Sequence, residues 1–356
     1  MRTLRTVPVV LLILVSEGLA QSPTDGKISG QVFADYFYNV ARDTGFSALS
    51  NTALNGAKDL HGFKLRRFYL TYDKSISEVF AMRFRLEADE ASNTSNGKIG
   101  TFVKDAYLEW KEIFSGSDMV IGIQPTPAFE VSEAVWGYRS IEKTAMDLWG
   151  IVSSRDQGVS LNGKIMDDGM LNYKVMIGNG SSNSPETNKY KKYYARVEST
   201  PFKKLVVTAY ADLAARGTIS TPAGPIANNS LTVAGFVGFR ETDVFSIGLE
   251  GFMQSMENGF VQAGSYSARS ALSISAFGSF TIHPKMKLLA RIDSFDPNSN
   301  SAATGDSRIF AVAGIDWQPD GKVSIIPNIL IESYDNRAGV AVDPSVTARV
   351  TVAYSF

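Results

Sequence analysis

From about residue 28 to the C-terminus, apolar positions alternate with polar or small ones in runs of about ten residues. Phe80, Met82, Phe84, Leu86 and Ala88 share one parity, while Arg83, Arg85, Glu87 and Asp89 take the other. Phe245, Ile247, Leu249, Gly251 and Met253 are set against Ser246, Gly248 and Glu250 in the same way. The last run opposes Val346, Ala348, Val350, Val352, Tyr354 and Phe356 to Thr347, Arg349, Thr351 and Ser355. An extended strand sends successive side chains to opposite faces, so each run reads as a strand with one apolar face. A single run fits a half-buried strand of a soluble sheet equally well; the repetition is what carries information. The spacing predicts sixteen strands, over 28–39, 63–72, 79–89, 102–111, 119–124, 156–165, 170–178, 190–199, 204–213, 231–240, 244–254, 271–282, 286–294, 308–317, 322–333 and 345–356.

The segments between strands alternate in length. Short links (73–78, 112–118, 166–169, 200–203, 241–243, 283–285, 318–321) take turns with long ones (40–62, 90–101, 125–155, 179–189, 214–230, 255–270, 295–307, 334–344). Short turns on one side and long loops on the other belong to a closed antiparallel transmembrane β-barrel, and an even strand number returns both termini to the short-turn side. The apolar parity also gathers aromatics at the ends. Tyr72, Phe80, Trp110, Phe239, Phe245, Phe280, Trp317 and Tyr354 fall near short turns or the C-terminus, and Tyr36, Tyr38 and Tyr193 near the other rim. Amphipathic rings favour a water–lipid boundary, so these positions predict two girdles. Three basic residues, Lys64, Arg66 and Lys104, carry outward parity and would have to snorkel at the rim. Pro327 falls in mid-strand, where a missing N–H favours a bulge or an edge.

The N-terminus has the form of an export signal. Arg2 and Arg5 precede the apolar run Val9–Val15, and Gly18-Leu19-Ala20 places small residues ahead of a cut before Gln21. We read residues 1–20 as a signal peptide and 21–356 as one barrel in the outer membrane of a Gram-negative-type bacterium. The chain has no cysteine, so no disulfide holds it, and a closed hydrogen-bonded ladder fits that absence. Lys and Arg number 35 against 36 Asp and Glu, leaving no polybasic footprint for nucleic acid. The two histidines, His61 in a long loop and His283 in a short turn, offer no acid–base partner for an enzyme and no zinc or iron set. Asp293, Asp296, Asn298, Asn300 and Asp306 are oxygen donors of the calcium-binding kind, but these residues equally favour solvated turns. We therefore expect no cofactor, no metal and no enzyme activity.

With the strands placed, several stretches carry a resemblance: FKLRRFYLTY (Phe63–Tyr72), VKDAYLEW (Val103–Trp110), GIQPTPAFEVSE (Gly122–Glu133), RDQGVSLNGKI (Arg155–Ile165), LNYKVMIGNG (Leu171–Gly180), YARVESTPF and LLARIDSFDP. Taken in order, they resemble the phosphate-selective porin O/P family of outer-membrane porins. The resemblance implies a 16-stranded trimeric barrel whose loop after the fifth strand folds into the lumen as a constriction. It does not carry the substrate over. The inward mid-strand bases are Arg67, Arg83, Arg85, Lys164, Lys174, Arg196, Arg240, Arg291 and Arg349; the inward acids are Asp35, Glu87, Asp105, Glu109, Asp212, Glu250, Asp293 and Asp316. Nine against eight makes no anion funnel. The ending VTVAYSF, with Tyr354 and Phe356 on one face, resembles the terminal signal read by the barrel-assembly machinery.

The candidate site is the long segment Pro125–Arg155, which carries Glu130, Glu133, Trp136, Tyr138, Arg139, Glu142, Lys143, Asp147, Trp149 and Arg155. Loops of this length are usually functional. We expect Arg67, Arg83, Arg85 and Arg349 to form a basic wall, opposed by Glu133 and Glu142, with Arg139 also on the loop. Opposite charges across a narrow lumen favour hydrated polar solutes over apolar ones. The expected function is passive diffusion of small polar solutes and ions by a lipid-embedded homotrimer. An oxyanion-specific channel and a surface-binding adhesion barrel remain open alternatives.

Overall fold

The computed structural model describes residues 26–43, 56–89, 92–166, 169–336 and 339–356, so the signal segment lies outside the described residues. Eighteen strands run in chain order: β1 (Lys27–Ala41), β2 (His61–Ser75), β3 (Phe80–Asp89), β4 (Phe102–Phe114), β5 (Ser117–Pro125), β6 (Arg155–Lys164), β7 (Leu171–Gly178), β8 (Lys192–Phe202), β9 (Leu205–Ala214), β10 (Ile219–Thr221), β11 (Gly224–Ile226), β12 (Ser230–Glu241), β13 (Phe245–Gln262), β14 (Ser265–His283), β15 (Met286–Asp296), β16 (Arg308–Asp320), β17 (Val323–Tyr334) and β18 (Ser345–Ser355). Sixteen of them form one closed antiparallel barrel, each paired with its neighbour in sequence and sealed by β1 against β18. Only β10 and β11 stand apart, as a small hairpin in the loop after β9. Closure leaves no free sheet edge, which is the condition for strands to cross lipid.

The outward faces carry the predicted apolar set, with Phe84, Leu249, Ile247, Ile274 and Ile292 exposed on the outside. Near the short turns the rings meet: Phe80 and Trp110 lie 5.4 Å apart, and Phe239 stacks on Phe245 at 5.6 Å. Asp35, Glu87, Asp105, Glu250 and Asp293 are buried inside.

Four local features depart from the expected pattern. Both outward-parity clusters of basic residues are turned inward by β-bulges. In the β1–β2 ladder Phe33 pairs with Arg67 and Ala34 with Leu65, so Arg66 is the extra residue. In β3–β4, Arg85 pairs with Asp105 and Leu86 with Val103, which skips Lys104. One extra residue reverses the parity beyond it. Lys64 accordingly sits over the Phe37 ring, Arg66 pairs with Asp35 at 2.7 Å and Lys104 with Glu87 at 2.8 Å, and none of them snorkels. At Pro327 the register does not slip. Gly314↔Asn328 and Trp317↔Ile325 share one offset, and the β18 ladder is continuous through Pro327↔Val350. The β16 ladder lacks only the pairs facing the proline, and its shift comes later, between Trp317 and Asp320.

Finally, residues 255–270, expected as a loop, extend β13 and β14 as a hairpin. Val261 pairs with Tyr266 and Gln262 with Ser265 across Ala263-Gly264. Both turn residues have positive φ, 47° and 82°, the geometry that matches strand twist in a two-residue turn. Their polar neighbours, Glu257, Asn258 and Ser267, hide the strand from an alternation count.

Candidate functional site: the inserted loop and its eyelet

The segment between β5 and β6 folds into the lumen. It forms α1 (Glu130–Trp136), closed by Gly137 in the left-handed conformation (φ 71°), and α2 (Ala145–Leu148). Its apolar side chains, among them Phe129, Trp136, Ile141, Met146 and Trp149, are buried against inward residues of the β12–β17 wall: Phe236, Phe252, Phe277, Phe295, Phe310, Ile326 and Leu330. Trp149 stacks on Phe295 at 4.5 Å and Trp136 meets Phe277 edge-on at 5.3 Å. Burying such a side chain is worth about 1.5–3 kcal/mol each, and together they fill the β12–β17 side of the lumen with a core of soluble-protein type.

Wall cations then fix the loop backbone. Lys174 donates to Pro125 O (2.9 Å), Arg196 to Pro127 O (3.3 Å), Arg240 to Ala134 O (3.2 Å) and Arg349 to Ile141 O (2.9 Å). Arg66 donates to Ser140 O and Arg291 to Lys143 O. Charge-assisted bonds of this kind are stronger than neutral ones and satisfy loop carbonyls that would otherwise be buried without donors. Five of the nine bases counted as inward (Lys174, Arg196, Arg240, Arg291 and Arg349) therefore hold the loop.

What remains open lies against the β1–β6 side. A cavity of about 280 Å³ is bounded there by Tyr69, Arg85, Lys104 and Arg155 on the wall and by Glu130, Glu133 and Arg139 on the loop. Behind the wall cations are two carboxylates with no exposure. Glu87 takes Arg67 (3.1 Å) and Lys104 (2.8 Å); Asp105 takes Arg85 (3.2 Å) and Arg155. Arg67 and Arg85 also lie over the Tyr69 ring, at 5.7 and 5.5 Å. The buried acids order the bases, and the bases front the eyelet. On the loop, Glu130 and Glu133 are about a third exposed, and Glu133 bonds Arg139 at 2.9 Å. The wall thus presents positive charge, and the loop presents both signs across a narrow opening: Glu130, held by Lys174 (3.0 Å) and Arg196 (3.1 Å), and the Glu133–Arg139 pair.

Of the residues expected at the constriction, Arg85, Glu133 and Arg139 meet at this eyelet, with Arg67 just behind it. Arg83 sits in a separate hollow toward the short turns, bonded to Asp73 at 2.6 and 3.0 Å. Arg349, three strands from Arg85 across the barrel closure, is buried between Asp35 (3.4 Å), Asn328 (3.0 Å) and the loop and does not line the eyelet. Glu142 is buried too. Its carboxylate accepts the Lys143 N–H at 2.9 Å, and Glu130 takes the place expected for it opposite the basic wall. Lys104, Arg155 and Glu130 also line the eyelet, although the sequence does not assign them to the constriction. Lys104 was hidden by its bulge, and the other two by lying at strand and helix ends. A signal for the loop's seat was present: apolar residues at inward parity recur on consecutive strands, at Phe236, Phe252, Phe277, Phe295 and Phe310.

No family model and no curated protein matches the chain. Solved structures do. The outer-membrane channel DcaP of Acinetobacter baumannii is 13% identical, with a TM-score of 0.69 over 93% of this chain and 97% of that one. An anion-selective porin from Comamonas acidovorans is 10% identical (TM-score 0.65, 93% and 99% covered). The outer-membrane-expressed OmpT of Vibrio cholerae is 14% identical (TM-score 0.61, 96% and 100% covered). What the chain shares with these outer-membrane proteins is the fold, here a closed antiparallel barrel of sixteen strands with an inward-folded loop.

Proposed function

We propose that the protein is an outer-membrane porin through which small polar solutes and ions diffuse passively. The observation that carries this reading is the eyelet: a charged opening left between the clamped loop and the β1–β6 wall, inside a barrel whose outer face is apolar. Low-dielectric walls focus the field of Arg85, Lys104 and Arg155 toward Glu130 and Glu133, which favours hydrated, polar solutes. The eyelet holds both signs of charge, which argues for weak ion preference over an oxyanion-specific channel. The channels of similar fold include one titled an anion-selective porin, so charge preference is the property to measure. Export through the 1–20 signal, delivery by a terminal signal at Tyr354 and Phe356, and assembly as a homotrimer in lipid belong to the same proposal.

Planar-bilayer recording of the purified protein tests it. Conductance should rise nearly linearly with salt, the reversal potential in a salt gradient should stay small, and micromolar phosphate should not block chloride current. A barrel that never conducts would be an adhesion or binding barrel, and tight phosphate block would restore the oxyanion-specific reading.

A further inference from the structure

The long-loop mouth holds a second cavity, of about 420 Å³, distinct from the eyelet. It opens where β7, β8 and β9 leave the barrel, and its lining includes Asn179, Tyr190, Lys191, Lys192, Arg216 and Asn228. Three bases and no carboxylate border it, in contrast to the mixed eyelet. The bases are not equivalent. Lys191 is committed to Glu186 at 2.7 Å and Lys192 to Asp212 at 3.0 Å. Arg216 is exposed, and among the described residues its guanidinium has no side-chain partner.

One further polar atom of the lining is uncommitted. The side-chain oxygen of Asn228 is buried with nothing to bond, which is uncommon for a buried acceptor. The Tyr190 ring packs beside Gly217 with Lys189 over it at 5.8 Å, and its phenol belongs to the cavity lining. The cavity adjoins the eyelet. Ile151 and Ser153 of the returning loop line the first, and the next residues, Ser154 and Arg155, line the second.

We propose that this cavity is an entry site for small hydroxylated organic anions with a single carboxylate, the sugar-acid class. One free guanidinium fork matches one carboxylate in bidentate geometry, which a lysine point charge does not. The Asn179 and Asn228 amides and the Tyr190 phenol suit hydroxyl groups, and the volume is in the range of small-molecule sites. The transport consequence, that solute captured here passes to the eyelet, rests on the porin reading; the binding itself does not.

Titration calorimetry on the full-length protein in detergent tests it, with sodium glucuronate, glucose and inorganic phosphate as probes. Glucuronate should bind, glucose and phosphate should bind more weakly, and Arg216→Ala should weaken glucuronate roughly ten- to hundredfold, the worth of a charged hydrogen-bond pair. Arg216 is exposed, so the variant should keep the gel mobility of the folded barrel. In bilayers, glucuronate added on the long-loop side should reduce the potassium chloride current of the parent and not of Arg216→Ala. Glucuronate that fails to bind, equal affinity in parent and variant, or phosphate binding as tightly as glucuronate would overturn the site. Arg216-dependent binding in a protein that never conducts would uphold the site and sink the porin reading.

Discussion

Residue by residue, one glycine makes room at the barrel's seam for the chain's last ring. Gly30 on β1 exchanges backbone hydrogen bonds with Phe356, at 3.0 and 3.1 Å, and the Phe356 ring lies where a Gly30 Cβ would be, 2.2 Å away. Overpacking typically costs about 1–3 kcal/mol, here at the closing strand pair. Gly30→Ala and deletion of Phe356 should both reduce folded protein in the outer membrane, read by fractionation and by the mobility of unheated samples on gels. Normal levels of the deletion would rule out a terminal assembly signal. The eyelet gives a second test at this scale. A unit charge about 8 Å away in water is worth about half a kcal/mol, roughly a factor of two in ion preference. Arg85→Gln should shift the permeability ratio toward cations by about that factor, since Arg155 still covers Asp105. Arg83→Gln, outside the eyelet and paired with Asp73, should shift it less. Equal shifts in reversal potential would mean that the eyelet is misplaced.

For a strand, the unit of information is parity, and the bulges at Arg66 and Lys104 show how it is used. Each adds one residue and sends two neighbouring polar side chains into the lumen, where Arg66 reaches the loop and Lys104 the eyelet. The other register shifts fall toward strand ends, and at mid-strand positions the parity holds: Phe84 and Leu249 face out, and Ser246 faces in beside a polar hollow of about 230 Å³. Arginine at the lipid midplane costs about 2–4 kcal/mol, whereas the lumen accommodates it. Phe84→Arg and Leu249→Arg should therefore lower the yield of refolding into vesicles, while Ser246→Arg should refold as the parent does. Equal yields at both parities would show that the faces are misassigned.

As a whole, the molecule combines two stabilising systems of different kind. The ladder closes on itself in lipid, and a water-excluding core joins the inserted loop to the β12–β17 wall. The two are separable. Trp149→Ala removes the ring stacked on Phe295, and truncating a buried tryptophan costs about 3–5 kcal/mol. No ladder hydrogen bond depends on that ring, so the variant should keep the heat resistance of the barrel on gels. Its single-channel current should become larger and noisier as the loop loosens. Unchanged current would mean that the wall cations alone hold the loop.

The strand number, their order and the face of nearly every side chain follow from the sequence alone. In a lipid-embedded ladder each residue has only two directions to face, and lipid tolerates only one kind of side chain, so a local two-residue period carries the global fold. The alternation of short and long links added the direction of the chain. Tertiary structure decided what parity cannot express. A bulge is a one-residue change in register between two strands, which appears only when both are aligned, and so Lys104 entered the site against expectation. Whether an inward base faces water or a loop carbonyl depends on where the segment 125–155 comes to rest. That segment lies on the wall offering Phe236, Phe277, Phe295 and Phe310, where its own aromatics are buried. Its placement converted Arg291 and Arg349 from expected pore lining into clamps and left the opening to Arg85, Lys104, Arg155, Glu130 and Glu133.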